Sequence, residues 1–78
     1  SVCETIRTRL ERLTPRERQV LACLGRGLQN KLIAHELDLR ESTVKVHVRN
    51  ILKKLAVRSR TQAALFARGV AADPMREQ

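Results

Sequence analysis

The sequence predicts an all-α domain of four short helices, two of them joined as a helix-turn-helix, behind a short N-terminal helical linker. Three observations carry this. Apolar residues recur at steps of three and four along the chain, with no period-two run long enough for a strand. Capping boxes stand at Thr14-Pro15-Arg16-Glu17 and Ser59-Arg60-Thr61-Gln62, and glycines at 25, 27 and 69 close the helices they open. The 78 residues allow one domain with a small aliphatic core, containing one Phe and no Trp or Tyr. Such a core joins two or three helix contacts and encloses no sizeable substrate pocket, which excludes a large enzyme fold.

The linker takes residues 1–12, the domain 13–70 with its helix-turn-helix at about 30–49, and a flexible tail 71–78. Val2, Ile6, Leu10 and Leu13 form one face of the linker. Thr14, pushed off helical dihedrals by the following proline, caps the next helix, and Glu17 completes the box and is read as a cap alone. Val20, Leu21 and Leu24 form that helix's buried face. Asn30 is predicted to cap a two-turn helix with Ile33, Ala34 and Leu37 inside. Asp38-Leu39-Arg40 then breaks the pattern, and Asp tolerates the positive φ of a tight corner. The next helix opens near Glu41-Ser42 and runs to about Ala56.

Sixteen Lys and Arg against eight Asp and Glu give a net charge of +8, and Arg outnumbers Lys twelve to four. That surplus points to a polyanion, nucleic acid before anionic membrane, because guanidinium suits bidentate phosphate and guanine contacts. No apolar run reaches the roughly 20 residues needed to span a bilayer, and no signal-peptide pattern is present. Cys3, Cys23, His35 and His47 match no zinc spacing, so no metal or cofactor is expected. Few cysteines and no staple point to a reduced, cytoplasmic setting.

The chemistry concentrates on the third helix. With about 100° per residue, Val44, Val48, Ile51 and Leu55 cluster within roughly 40° of one line and point inward. Opposite them lie Ser42, Lys45, Val46, Arg49 and Lys53, a face of cations without an acid. An ordinary solvated face mixes both signs, whereas like charges side by side make sense next to phosphates. Lys45 and Arg49, at i and i+4, can reach guanine edges together, and an exposed Val46 suits a thymine methyl. His47 flanks the core stripe; it reads first as a packed, hydrogen-bonded histidine and second as a phosphate contact. Ser42 and Ser59 sit at helix starts, and no nucleophile, base and orienting acid gather for catalysis.

Leu13-Thr14-Pro15-Arg16-Glu17-Arg18-Gln19-Val20-Leu21, Gly27, Asn30-Lys31, Ile33-Ala34, Leu37, Thr43-Val44-Lys45-Val46-His47, Ile51, Lys54-Leu55, Val57, Arg60 and Ala63 resemble the LuxR/FixJ-type (NarL-like) DNA-binding domain. The resemblance covers about residues 13 to 70. It implies a four-helix bundle, the output domain of a bacterial transcriptional regulator that binds double-stranded DNA as a homodimer. A receiver or ligand-sensing domain would share the parent chain, and RNA polymerase would be a further partner. By the same resemblance, base contacts fall on Lys45, Val46 and Arg49, with Ser42 contributing. Phosphate contacts fall on Asn30, Lys31, Thr43, Arg58 and Arg60, joined by Lys53 of the outward face. Thr61, Ala64, Leu65 and Arg68 would form the dimer surface. The resemblance also implies that Ala63, Phe66, Ala67 and Val70 face the core from the last helix. Two positions depart from the family pattern: Asp38 stands where Gly is frequent, and Arg40 where Ser or Thr usually caps the recognition helix. Glu41 or Ser42 would then take over the cap, or Arg40 would meet a phosphate instead.

Other classes fit less well. A sigma-factor promoter-binding domain shares the pattern from Leu13 to Lys45, but the Val57-x-x-Arg60 entry to a fourth helix speaks against it. A dimerisation module without DNA binding leaves the cationic face and Val46 unexplained. A membrane-surface helix would need a wide, exposed apolar stripe.

Overall fold

Thr14 stands between an N-terminal helical segment and the next helix, which it caps. The computed structural model describes residues 8–69, of which 8–11 are helical and lead into that junction. The stripe positions Val2 and Ile6, together with Cys3, Val70 and the tail 71–78, lie outside the described residues. Four further helices follow: α1 (Pro15–Gly25), α2 (Asn30–Leu37), α3 (Glu41–Leu55) and α4 (Arg60–Ala67). Among the described residues all regular structure is helical.

The start of α1 is a complete capping box. Thr14 Oγ1 accepts from the Glu17 N–H at 3.1 Å, and Glu17 Oε1 accepts from the Thr14 N–H at 2.9 Å. The helix closes through Arg26 and Gly27, whose φ of +82° needs a residue without a Cβ. Gly25 serves a different purpose: a Cβ there would stand 3.1 Å from the Ala67 Cβ, so its absence lets α1 and α4 approach closely.

Two of the expected caps are built differently. Asn30 is the first residue of α2 and not its cap; Gln29 holds that position, with no side-chain hydrogen bond. The reason is that Asn30 Oδ1 accepts from Arg60 Nη1 at 2.7 Å and is no longer available to its own helix. At α4, Ser59 Oγ accepts from the Gln62 N–H, but the Gln62 side chain accepts from the Arg58 N–H at 2.6 Å rather than from Ser59.

Asp38 adopts the left-handed conformation, φ 56° and ψ 50°, and turns the chain between α2 and α3. The Leu39 N–H returns to the Ala34 carbonyl at 2.8 Å, which closes the corner. Ile33, Val20, Val44, Ile51 and Leu55 are the most enclosed large side chains, so every helix but α4 places one at the centre. α4 adds Ala63 and Phe66. Ala67, expected in the core, is exposed: α1 and α4 both end beside it, so nothing remains to cover it.

Candidate nucleic-acid interface

Burial of one side of α3 decides what its other side presents. Val44, Val48, Ile51 and Leu55 are buried, as their spacing requires. Ser42, Lys45, Val46, Arg49 and Lys53 are all exposed, and Val46 keeps 54% of its surface open to solvent. From Ser42 to Leu55 the helix contains no acid. The structure therefore brings the expected base-reading residues onto one exposed face. Neither of the two surface grooves described below includes a residue of α3.

The helix begins at Glu41. Arg40 occupies the N-cap position and forms no side-chain cap bond, so neither Ser42 nor Glu41 caps this end. Glu41 in the first turn still offsets the positive end of the helix dipole. The far end closes at Ala56 in a left-handed conformation, φ 57°.

Two side chains outside the helix-turn-helix, Glu17 and Arg9, hold α3 in place. Lys54 Nζ bonds Glu17 Oε1 at 2.7 Å, and Glu17 is only 3% exposed. Glu17 is thus a cap and an ion-pair partner, not a cap alone. Burial works to raise its carboxyl pKa, but hydrogen bonds from Lys54 and the Thr14 N–H, with the Lys54 charge, outweigh it and hold it below the ordinary glutamate range. Arg9 Nη1 donates to the Leu55 carbonyl at 3.3 Å, meeting a last-turn acceptor with a cation. Beside α2, Arg26 Nη1 bonds Glu36 Oε2 at 2.7 Å, and that same oxygen accepts from Cys23 Sγ at 3.4 Å. Arg26 and then Cys23 lower the Glu36 pKa, while burial and then Glu36 raise that of the Cys23 thiol.

The residues expected on phosphates are distributed around α3. Lys31, Lys53 and Arg58 are exposed; Asn30, Thr43 and Arg60 are half-buried. Arg60 is already engaged, with Nη1 on Asn30 and Nη2 on the Leu28 carbonyl at 3.1 Å. Of the residues expected at a dimer surface, Thr61 and Arg68 are exposed, while Ala64 and Leu65 are half-buried and Ala64 packs against the core. His47 is half-buried, but its Nδ1 has no hydrogen-bond partner, which corrects the expectation of a satisfied histidine.

The larger groove, about 400 Å³, lies between Leu10, Leu21, Ala22, Phe66 and Ala67 with Glu11 and Arg18 at its lining. The smaller, about 240 Å³, is lined by Leu24, Leu28, Arg60 and Ala64 among others. Among the described residues no group of three His, Cys, Asp or Glu side chains is placed to hold a metal, and no helix is long and apolar enough to cross a membrane.

Residues 11–67 match the family described as bacterial regulatory proteins, luxR family. The chain is 53% identical over 57 residues to the nitrate/nitrite response regulator protein NarL of Escherichia coli (strain K12), covering 73% of this chain and 26% of that protein. It is 62% identical over 55 residues to the transcriptional regulatory protein LnrK of Bacillus subtilis (strain 168), covering 70% and 25%. With the transcriptional regulatory protein FixJ of Rhizobium meliloti (strain 1021) it shares 48% over 54 residues, covering 69% and 26%. This chain belongs to the luxR family of bacterial regulatory proteins, a family of DNA-binding transcription regulators. It spans about a quarter of the length of the curated relatives it matches.

Proposed function

We propose that this chain is the sequence-specific DNA-binding output domain of a two-component response regulator. The observation that carries the reading is the outward face of α3, where Lys45, Arg49 and Lys53 surround an exposed Val46 and no acid intervenes. Desolvating a valine is favourable and concentrating like charges is not; a major groove with its phosphates answers both.

In this reading α3 lies in the major groove, with Lys45, Val46 and Arg49 on base edges and Ser42 beside them. Asn30, Lys31, Thr43, Lys53, Arg58 and Arg60 line the backbone, Asn30 and Arg60 acting partly through their bond to each other. Two copies pair through Thr61, Ala64, Leu65 and Arg68, which sets half-sites about one helical turn apart. A receiver domain in the parent chain would control pairing, and RNA polymerase in the cytoplasm would be the downstream partner.

Selection of bound duplexes from a random pool at two salt concentrations tests this, with a Lys45→Ala/Arg49→Ala variant alongside. A pair of short half-sites recovered by the wild type and lost by the variant supports a dimeric groove reader. A motif-free pool whose recovery falls with salt reduces the interface to phosphate attraction.

A further inference from the structure

The flank of α3 between its buried stripe and its cationic face carries Thr43, His47, Asn50 and Lys54, all half-buried. Lys54 is committed inward to Glu17. Thr43 and His47, at i and i+4, stand side by side on the same half of the helix as Lys45 and Arg49. The imidazole of His47 is divided between two environments. Nδ1 is enclosed and has no partner; Nε2 is neither enclosed nor bonded to any described residue.

That division fixes where the ring hydrogen belongs. A neutral imidazole has one N–H and one lone pair. An enclosed N–H without an acceptor is among the rarest features of folded proteins, and an enclosed lone pair is tolerated more readily. In the neutral ring the hydrogen therefore sits on Nε2, so the half-buried imidazole presents one donor beside Thr43. We propose that His47 is a DNA-backbone contact, donating Nε2–H to a phosphate oxygen while its Nδ1 stays dry against the protein. The inference rests on the DNA-binding reading above. A neutral donor positions the helix without displacing a counterion, unlike the lysines and arginines around it.

Three variants at mildly alkaline pH test it: His47→Gln, whose amide nitrogen can replace Nε2; His47→Asn, which reaches only as far as Nδ1; and His47→Ala. Affinity is measured for a random-sequence duplex and for a duplex selected by the wild type, across a salt series, with thermal melts confirming that each variant is folded. The expected result is binding near wild type for Gln and a roughly tenfold loss for Asn and Ala on both duplexes, with an unchanged salt slope. Equal affinity for all folded variants overturns the contact. A loss confined to the selected duplex makes His47 a base reader, and a shallower salt slope makes it a cation; either result overturns the proposal. A wild type that binds neither duplex overturns the DNA-binding reading itself, and His47 with it.

Discussion

Glu17 and Lys54 meet at 2.7 Å although 37 positions separate them in sequence. The same carboxylate oxygen closes the capping box with the Thr14 N–H at 2.9 Å, so the first turn of α1 and the last turn of α3 share one acceptor. A local helix signal has thereby become a fastening for the helix that carries the cationic face.

Glu17→Gln keeps an oxygen for Thr14 but leaves Lys54 facing an uncharged amide. The expected cost is about 1–3 kcal/mol in urea unfolding, the range for losing a bond to a charged, largely buried group. Glu17→Gln combined with Lys54→Met isolates the pair. If the two losses simply add, Glu17 acts through the cap alone.

Acid sensitivity follows from the same bond. The Glu17 carboxyl is held below its ordinary value in the folded protein, so the stability it contributes is complete above the unfolded value of about 4.3 and is lost as pH falls through the lower folded value. Glu36 is lowered too and acts in the same direction. Thermal melts in a Glu36→Gln background should show a stability profile below about pH 4.3 that is flatter once Glu17→Gln is added. An unchanged profile would remove Glu17 from the acid transition.

These residues also show what the sequence could and could not reveal. The two-sided character of α3 was legible because one helix's periodicity determines it, and Val44, Val48, Ile51 and Leu55 are buried as spacing demands. The corner at Asp38 was legible for the same local reason. The partners of Glu17, Asn30 and Arg9 were not, since they lie 37, 30 and 46 positions away and depend on how helices cross. Ala67 failed for a related reason: helical spacing gives its direction but not where the neighbouring helix stops.

Ala56 closes α3 in the left-handed conformation, which costs an alanine its Cβ contact with the following carbonyl oxygen. Ala56→Gly removes that cost at an exposed position. The change should stabilise the domain by about 0.5–1 kcal/mol after the entropy glycine brings to the unfolded chain. Ala56→Val should destabilise it by at least as much, and a melt in which both variants fall below the wild type would contradict the assignment.

Arg9 tests whether the segment before α1 supports α3. Arg9→Met retains the apolar stem and removes the bond to the Leu55 carbonyl. Unfolding free energy should fall by about 0.5–1.5 kcal/mol. The ratio of selected to random duplex binding should stay constant, because the reading face is untouched. A change in that ratio would mean that this contact sets the angle of α3 as well as its stability.

Arg49 and Lys53 lie one turn apart on the same exposed face, yet they should behave differently on DNA. In the proposed docking Arg49 is in the half of α3 that enters the groove, so Arg49→Ala should cost about 1–3 kcal/mol on a selected duplex and relax one base preference. Lys53 is beyond that half, so in the proposed docking its partner is a phosphate. Lys53→Ala should weaken selected and random duplexes alike and reduce the salt slope by about one. Salt series on both duplexes separate the two roles. If Lys53→Ala relaxes a base preference instead, the helix enters the groove further along than Lys45 and Arg49 imply, and Ser42 moves out of reach of the bases.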